Sequence, residues 1–207
     1  SRIDENTDIK EAAFTVLGSI ALHGLRLSET TLGSKVVVIG LGVIGQLVCK
    51  LAEAQGSEVT GIDPDPERSK NRENFFTSAD EVELTDVDTV IITAATSSNE
   101  PVELATKIAR NKAKIVIVGD IPLNISRNDF YYKELELVVS KSYGPGRYDK
   151  QYEALGNDYP IEYVRWTENR NFEAFTKLLS QKQIHLLDLV SEEVAFEDAP
   201  SIYEKFD

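Results

Sequence analysis

Three glycines, Gly40, Gly42 and Gly45, stand at G-x-G-x-x-G spacing directly behind the run Val36-Val37-Val38-Ile39, and they constrain this chain more than any other feature. An unbroken β-branched run suits a parallel strand buried on both faces. Each glycine then has its own task. The first permits a tight turn, the second lets backbone approach a pyrophosphate, and the third lets the next helix pack closely on the strand. Behind the turn, Ile44, Leu47, Val48 and Leu51 recur at helical spacing, and Gly56 is placed to end that helix. The helix start directs free N–H groups and partial positive charge at the turn, where a phosphate would sit. A second apolar strand, Val59 to Ile62, ends at Asp63. A carboxylate there can accept both hydroxyls of an adenosine ribose, at roughly the ~20-residue separation such a site needs. The glycine pattern is weak by itself, but strand, turn, helix, strand and acid in order predict a dinucleotide site. The competing reading is a turn that only packs helix on strand.

Composition narrows the setting. With 207 residues, 42% of them hydrophobic, the chain can bury one good core, with or without an appendage. No apolar run approaches the ~20 residues of a membrane span. The polar, acidic opening SRIDENTDIKE carries no signal-peptide pattern. The single cysteine, Cys49, excludes an internal disulfide and reads as a small core residue, so a cytoplasmic setting is expected. The net charge of −13, without a basic stripe interleaved with aromatics, argues against nucleic acid as a partner.

Taken in order, residues 1–34 form a polar lead-in and a leading helix over Glu11 to Leu32, interrupted by Gly18 and Gly24. His23 stands alone there and is expected to find a local hydrogen bond. Strands are expected at 35–39, 58–62, 89–93, 114–118 and 134–140. A short edge strand is expected at Leu123 to Ser126. The stretch after Asp63 has room for only one short helix and a stub of strand. Ser98 or Asn99 caps the helix after Thr93, with Pro101 early in it. Beyond 146, an amphipathic helix over Asn171 to Ser180 carries Phe172, Phe175 and Leu179 on one stripe. A strand at Ile184 to Val190 and a helix at Glu197 to Phe206 follow. The fold class is α/β: a doubly wound parallel sheet over residues 35–146 with a small C-terminal α/β appendage over 147–207. A ligand crevice belongs outside the carboxyl ends of the strands.

From EAAFTVLGSIALHGLRLSETTLGSKVVVIGLGVIGQLVCKLAEAQGSEVTGIDPDPER through DTVIITAATSSNEPVELA, AKIVIVGDI and KELELVVSKSYGPGRYD, the chain resembles the medium-chain dehydrogenase/reductase superfamily. The last segment and YPIEYVRWTENRNFEAF are similar to the bi-domain oxidoreductases, in which an alcohol-dehydrogenase-like half is fused to a second oxidoreductase domain. The resemblance covers nearly the whole chain. It implies a Rossmann-type NAD(H)-binding domain of a longer protein that moves a hydride between nicotinamide and an alcohol or carbonyl substrate. The domain carrying most of the catalytic groups would be missing, and the 147–207 appendage would pack on it. By that resemblance Gly40, Gly42, Val43 and Ile44 meet the pyrophosphate, with Gly45 completing the cofactor-binding turn, while Asp63 and Arg68 meet the adenine ribose. Ser19, Ala94, Ala95, Val118, Gly119 and Ser142 surround the nicotinamide. Thr15 stands where zinc-dependent members place a cysteine ligand, and a neutral hydroxyl is a poor zinc ligand, so no metal is expected. No catalytic residue is assigned within this chain.

Asp63 would repel a 2′-phosphate, which favours NAD over NADP, although Arg68 could soften the preference or simply pair with Asp63 or Asp65. The segment Ile121–Arg127 is expected to pair with its twin in a homodimer. Two other classes compete. A nucleotide-sensing regulator of potassium transport shares the ID-x-DPE-R pattern at Ile62–Arg68 but has no use for the leading helix. An adenosylmethionine-dependent methyltransferase wants an acid where Val38 stands.

Overall fold

A computed structural model describes residues 3–70 and 72–203. In chain order the elements are helices α1 (Ile9–Ala12) and α2 (Thr15–Ser28), strand β1 (Lys35–Ile39), α3 (Val43–Ala54), β2 (Glu58–Ile62), α4 (Pro66–Ser69), β3 (Phe75–Phe76), β4 (Val87–Ile92), α5 (Glu100–Ile108), β5 (Ala109–Ile117), α6 (Arg127–Lys133), β6 (Glu136–Val139), α7 (Lys150–Glu153), α8 (Glu168–Ser180) and α9 (Ala199–Tyr203). Single 3₁₀ turns occur at Ala79–Glu81, Leu187–Leu189 and Phe196–Asp198. Among the described residues no helix is long and apolar enough to cross a membrane.

The strands make one six-stranded sheet in the order β3-β2-β1-β4-β5-β6, with every pairing parallel. The chain reverses its direction across the sheet between β1 and β4, so a crevice opens where their carboxyl ends diverge. The side-chain period of two divides the apolar run of β1 between two cores. Val36 and Val38 join Leu47, Val48 and Leu51 of α3, Leu22 and Leu25 of α2, and Phe175 and Leu179 of α8. Val37 and Ile39 join Val102, Ala105 and Ile108 of α5 with Val90, Ile92 and Ile115. That is the doubly wound α/β architecture expected.

The two glycines thought to interrupt the leading helix do not. Gly18 and Gly24 lie inside α2 and let neighbours close on it. A Cβ at Gly18 would stand 2.1 Å from Phe175 Cζ, and one at Gly24 would stand 2.6 Å from Val118 Cγ2. The real break falls at Ala13–Phe14, and Asp8 caps α1 by accepting the Lys10 N–H at 2.8 Å. Between Asp63 and β4 the short helix and strand stub are α4 and β3. The strand expected at 89–93 is Val87–Ile92, and Thr93 has already turned away from it.

Three other expectations are corrected. Leu123–Ser126 forms no strand in the single chain, because it has no strand beside it. Its backbone is instead held by Asn99, whose Oδ1 accepts the Asn124 N–H and whose Nδ2 donates to the Asn124 carbonyl, both at 3.1 Å. Ile184–Val190 is no strand either. Ile184 and Leu186 turn into the core, and Leu186 N–H donates to Glu11 Oε1 at 2.7 Å, where a sheet partner would otherwise be needed. The described part of the appendage is therefore helical. Of the helix expected over Glu197 to Phe206, the portion Ala199–Tyr203 is helical, and residues 204–206 lie outside the described residues.

Candidate dinucleotide site

The glycine turn is built by contacts that tolerate no side chain at two of its three glycines. Gly40 has φ +97°, and a Cβ there would meet the Ala94 backbone nitrogen at 2.5 Å. At Gly45 a Cβ would lie 1.9 Å from the Gly40 carbonyl oxygen. Gly42 differs. Its φ of −62° suits any residue, and a Cβ there would meet nothing within 4 Å. The bare second glycine thus faces open space at the helix start, which is the cradle a pyrophosphate requires. Gly42 is the N-cap of α3 and offers no side-chain acceptor, and the first turn of α3 holds no acidic residue. The partial positive charge of that helix end is left uncompensated. Val43 is 42% exposed beside it, while Ile44 is half-buried.

Asp63 closes the turn from β2. Its side chain is buried at 3% exposure, yet it is richly bonded. Oδ2 accepts the Leu41 N–H at 2.6 Å and Arg68 Nη1 at 3.2 Å, and Oδ1 accepts the Asp65 N–H at 2.9 Å. Arg68 also reaches Asp65 Oδ2 with Nε at 3.3 Å, and its side chain is about half exposed. The acid therefore fixes the loop it would serve, and Arg68 lies over it as the ion pair foreseen.

Ala94, Ala95, Val118 and Gly119 gather at the ends of β4 and β5. Val118 and Gly119 both donate to the Ile92 carbonyl, and a Cβ at Gly119 would stand 1.9 Å from the Ala94 oxygen. Ser142 follows β6 at φ +48°. Ser19 is placed differently from these. It is fully buried, and its hydroxyl donates to the Thr15 carbonyl at 2.8 Å. Thr15 donates in turn to the Ala12 carbonyl at 2.6 Å. Among the described residues no group of three His, Cys, Asp or Glu side chains is arranged to hold a metal ion.

The bonds that support the site could not be read from the sequence. Thr93 Oγ1 donates to the Gly40 carbonyl at 2.5 Å, tying the end of β4 to the turn, and Gln46 Nε2 donates to the Leu41 carbonyl at 3.1 Å. The loop after β6 is held from α8: Asn171 accepts from Arg26 and donates to the Tyr143 carbonyl at 2.8 Å. His23 packs against Gly144 of the same loop, and its ring makes no hydrogen bond among the described residues, contrary to the local bond expected. Burial, and then the charge of Arg26, push the His23 pKa down. Cys49 is sealed in the core, and burial drives its thiol pKa far up, so it stays protonated.

A crossover turn with an uncapped helix start, an open glycine and a buried acid on the next strand is the arrangement of a dinucleotide-binding Rossmann domain. Residues 11–128, more than half of the chain, match the family described as "D-isomer specific 2-hydroxyacid dehydrogenase, NAD binding domain", and the chain belongs to that family. It is also similar to 2-dehydro-3-deoxy-L-galactonate 5-dehydrogenase of Pseudoalteromonas atlantica (strain T6c / ATCC BAA-1087), 27% identical over 176 residues, which cover 79% of this chain and 49% of that protein. Two solved structures share the fold over nearly the whole chain. Galactitol-1-phosphate dehydrogenase from Escherichia coli is 22% identical with TM-score 0.74, covering 97% of this chain and 57% of its own. A short chain alcohol dehydrogenase from Escherichia coli CFT073, complexed with NADH, is 17% identical with TM-score 0.76, covering 100% and 58%. Another solved neighbour of this fold is bound to NADP. The chain thus spans about half the length of the curated relative and little more than half of these solved chains. The matching family is a hydroxyacid dehydrogenase domain, not the medium-chain superfamily expected from sequence. What the two have in common, an NAD(P)-binding dehydrogenase domain, holds for this chain.

Proposed function

We propose that this chain is the NAD(H)-binding part of an alcohol-dehydrogenase-like oxidoreductase of the medium-chain type, with an alcohol or carbonyl compound as substrate of the whole protein. The open Gly42 cradle at the uncapped start of α3 carries the reading. Fold likeness to a sugar-alcohol dehydrogenase over 97% of the chain, wider than the family match at residues 11–128, supports the alcohol-dehydrogenase-like assignment. When bound, the nicotinamide supplies the hydride chemistry. This chain binds and orients it: the α3 N–H groups receive the pyrophosphate, Asp63 receives the ribose hydroxyls, and Ala94, Ala95, Val118, Gly119 and Ser142 form the floor beneath the ring. Ser19 would support that floor from within α2. Groups that polarise the substrate oxygen belong to the remainder of the protein, so the isolated chain turns nothing over. The cytoplasmic setting is part of the same proposal.

NAD is preferred because Asp63 has its charge where a 2′-phosphate would have to lie. Titration with NADH and NADPH by nicotinamide fluorescence tests this. NADH should bind more tightly, and Asp63→Asn, which keeps the shape and removes the charge, should weaken it by about tenfold. Preference for NADPH would reverse the cofactor assignment and make Arg68 the deciding residue. If nucleotide binds and changes assembly, yet the whole protein oxidises no alcohol, the regulatory reading replaces this one.

Ile121–Arg127 is proposed as the self-pairing edge. Leu123 and Ile125 are each 43% exposed there, and the segment has no strand beside it in the single chain. A monomer by sedimentation at high concentration would remove this proposal.

A further inference from the structure

The floor proposed for the nicotinamide rests on two consecutive residues of α2. At Gly24 a Cβ would stand 2.6 Å from Val118 Cγ2 and 4.0 Å from the Ser140 hydroxyl, so the ends of β5 and β6 close directly on the bare helix. His23, one residue earlier, takes the loop that follows β6. The Cα of Gly144, at φ +100°, is wedged between two side chains: a Cβ there would lie 3.0 Å from His23 Nδ1 and 3.0 Å from Asn171 Nδ2. Gly144 also closes the turn that contains Ser142, since its N–H donates to the Lys141 carbonyl at 3.0 Å. Ser142 is held there at φ +48°, a left-handed conformation that costs a residue other than glycine. From the far side α8 holds the same loop. Asn171 Nδ2 donates to the Tyr143 carbonyl and the Glu168 N–H to the Pro145 carbonyl, both at 2.8 Å. The loop is thus clamped by α8 through hydrogen bonds and by α2 through an imidazole that makes none among the described residues.

An imidazole that holds by contact alone holds only while it is neutral. Burial, and then the charge of Arg26 on the same helix, disfavour a proton on it, and Asn171 of α8 and the Gly144 backbone, which meet it from the other elements, are neutral. A proton there finds no carboxylate among the described residues, and a desolvated cation without a counter-charge is costly. The ring would then turn toward water, and Gly144, with Ser142 in the turn it closes, would lose its seat. Taking the chain as the NAD(H)-binding part proposed above, we infer that His23 and Gly24 are positioning residues for the nicotinamide half of the dinucleotide. Gly24 sets the depth of Val118, His23 sets the turn that carries Ser142, and a proton on His23 releases that half alone. The adenosine and pyrophosphate are held elsewhere, by Asp63 and the start of α3, and would keep their grip.

ADP-ribose keeps the adenosine and pyrophosphate and lacks the nicotinamide ring, so it separates the two halves. Binding of NADH and of ADP-ribose would be measured by calorimetry at about pH 8 and about pH 5.5, either side of the ordinary histidine pKa, for the parent, Gly24→Ala and His23→Gln. At the higher pH Gly24→Ala should bind NADH about tenfold more weakly, because the added methyl group displaces Val118. It should bind ADP-ribose as the parent does, which also shows that the variant is folded. Between the two pH values the parent should lose affinity for NADH by about twofold or more beyond any loss for ADP-ribose. In His23→Gln, which has no proton to gain there, the two ligands should respond to pH alike. If Gly24→Ala weakened both ligands equally, or if the excess acid loss for NADH persisted in His23→Gln, the positioning role would be overturned while the dinucleotide site stood. Binding of neither ligand to the parent would remove the cofactor reading and the positioning role with it.

Discussion

The three glycines of the turn look alike in sequence but answer to different physics. Gly42→Ala adds a methyl group into open space at an ordinary φ, so unfolding in urea should move by no more than about 0.5 kcal/mol. Cofactor titration should nonetheless weaken, because that space is where a pyrophosphate approaches. Gly45→Ala drives a methyl group into the Gly40 carbonyl, and a forced backbone shift of that kind costs about 1–3 kcal/mol. The pair separates a binding glycine from a folding glycine. If Gly42→Ala bound NADH as tightly as the parent, the turn would be structural only. Asn171 is a third residue of consequence. It is fully buried and joins Arg26 to the Tyr143 carbonyl, so Asn171→Leu would leave both without a partner at about 1–3 kcal/mol each.

Among the elements, α2 and α8 depend on each other most. Phe175 is completely buried, with its ring edge lying where a Gly18 side chain would be. Phe175→Ala should therefore cost about 3–5 kcal/mol in a denaturant titration, near the upper range for a core truncation. The helical periodicity of α8 was legible from Phe175 and Leu179, and so was its apolar stripe. That this stripe would meet Gly18 was not, because the two residues stand 157 positions apart (175 less 18) and neither specifies the other locally. The edge segment after β5 shows a similar limit. Alternating Leu123 and Ile125 read as a strand, but a strand exists only beside another, and in one chain the Asn99 side chain satisfies the Asn124 backbone instead.

Taken as a whole, the molecule should lose stability in acid partly through His23. Its folded pKa is depressed below the usual 6.5 by burial and by Arg26, so below that pH the unfolded chain binds more protons. The contribution is complete above pH 6.5 and is lost as pH falls through the ordinary value toward the depressed one. Urea midpoints at pH 7.5 and 5.0 should differ more for the parent than for His23→Gln. Equal differences would show that His23 is solvated in the folded state.

The parallel sheet, the glycine turn and the acid at its edge were all legible in consecutive residues, because strand burial, turn geometry and helix polarity are local consequences of side-chain branching, of a missing Cβ and of backbone dipoles. Which side chains complete the site depended on packing between distant segments. Thr93 reaches the Gly40 carbonyl, Asn171 grips the loop after β6, and His23 packs on Gly144 across 121 positions (144 less 23). Contacts of that kind arise when the sheet brings strand ends and helix faces together, and no spacing along the chain encodes them.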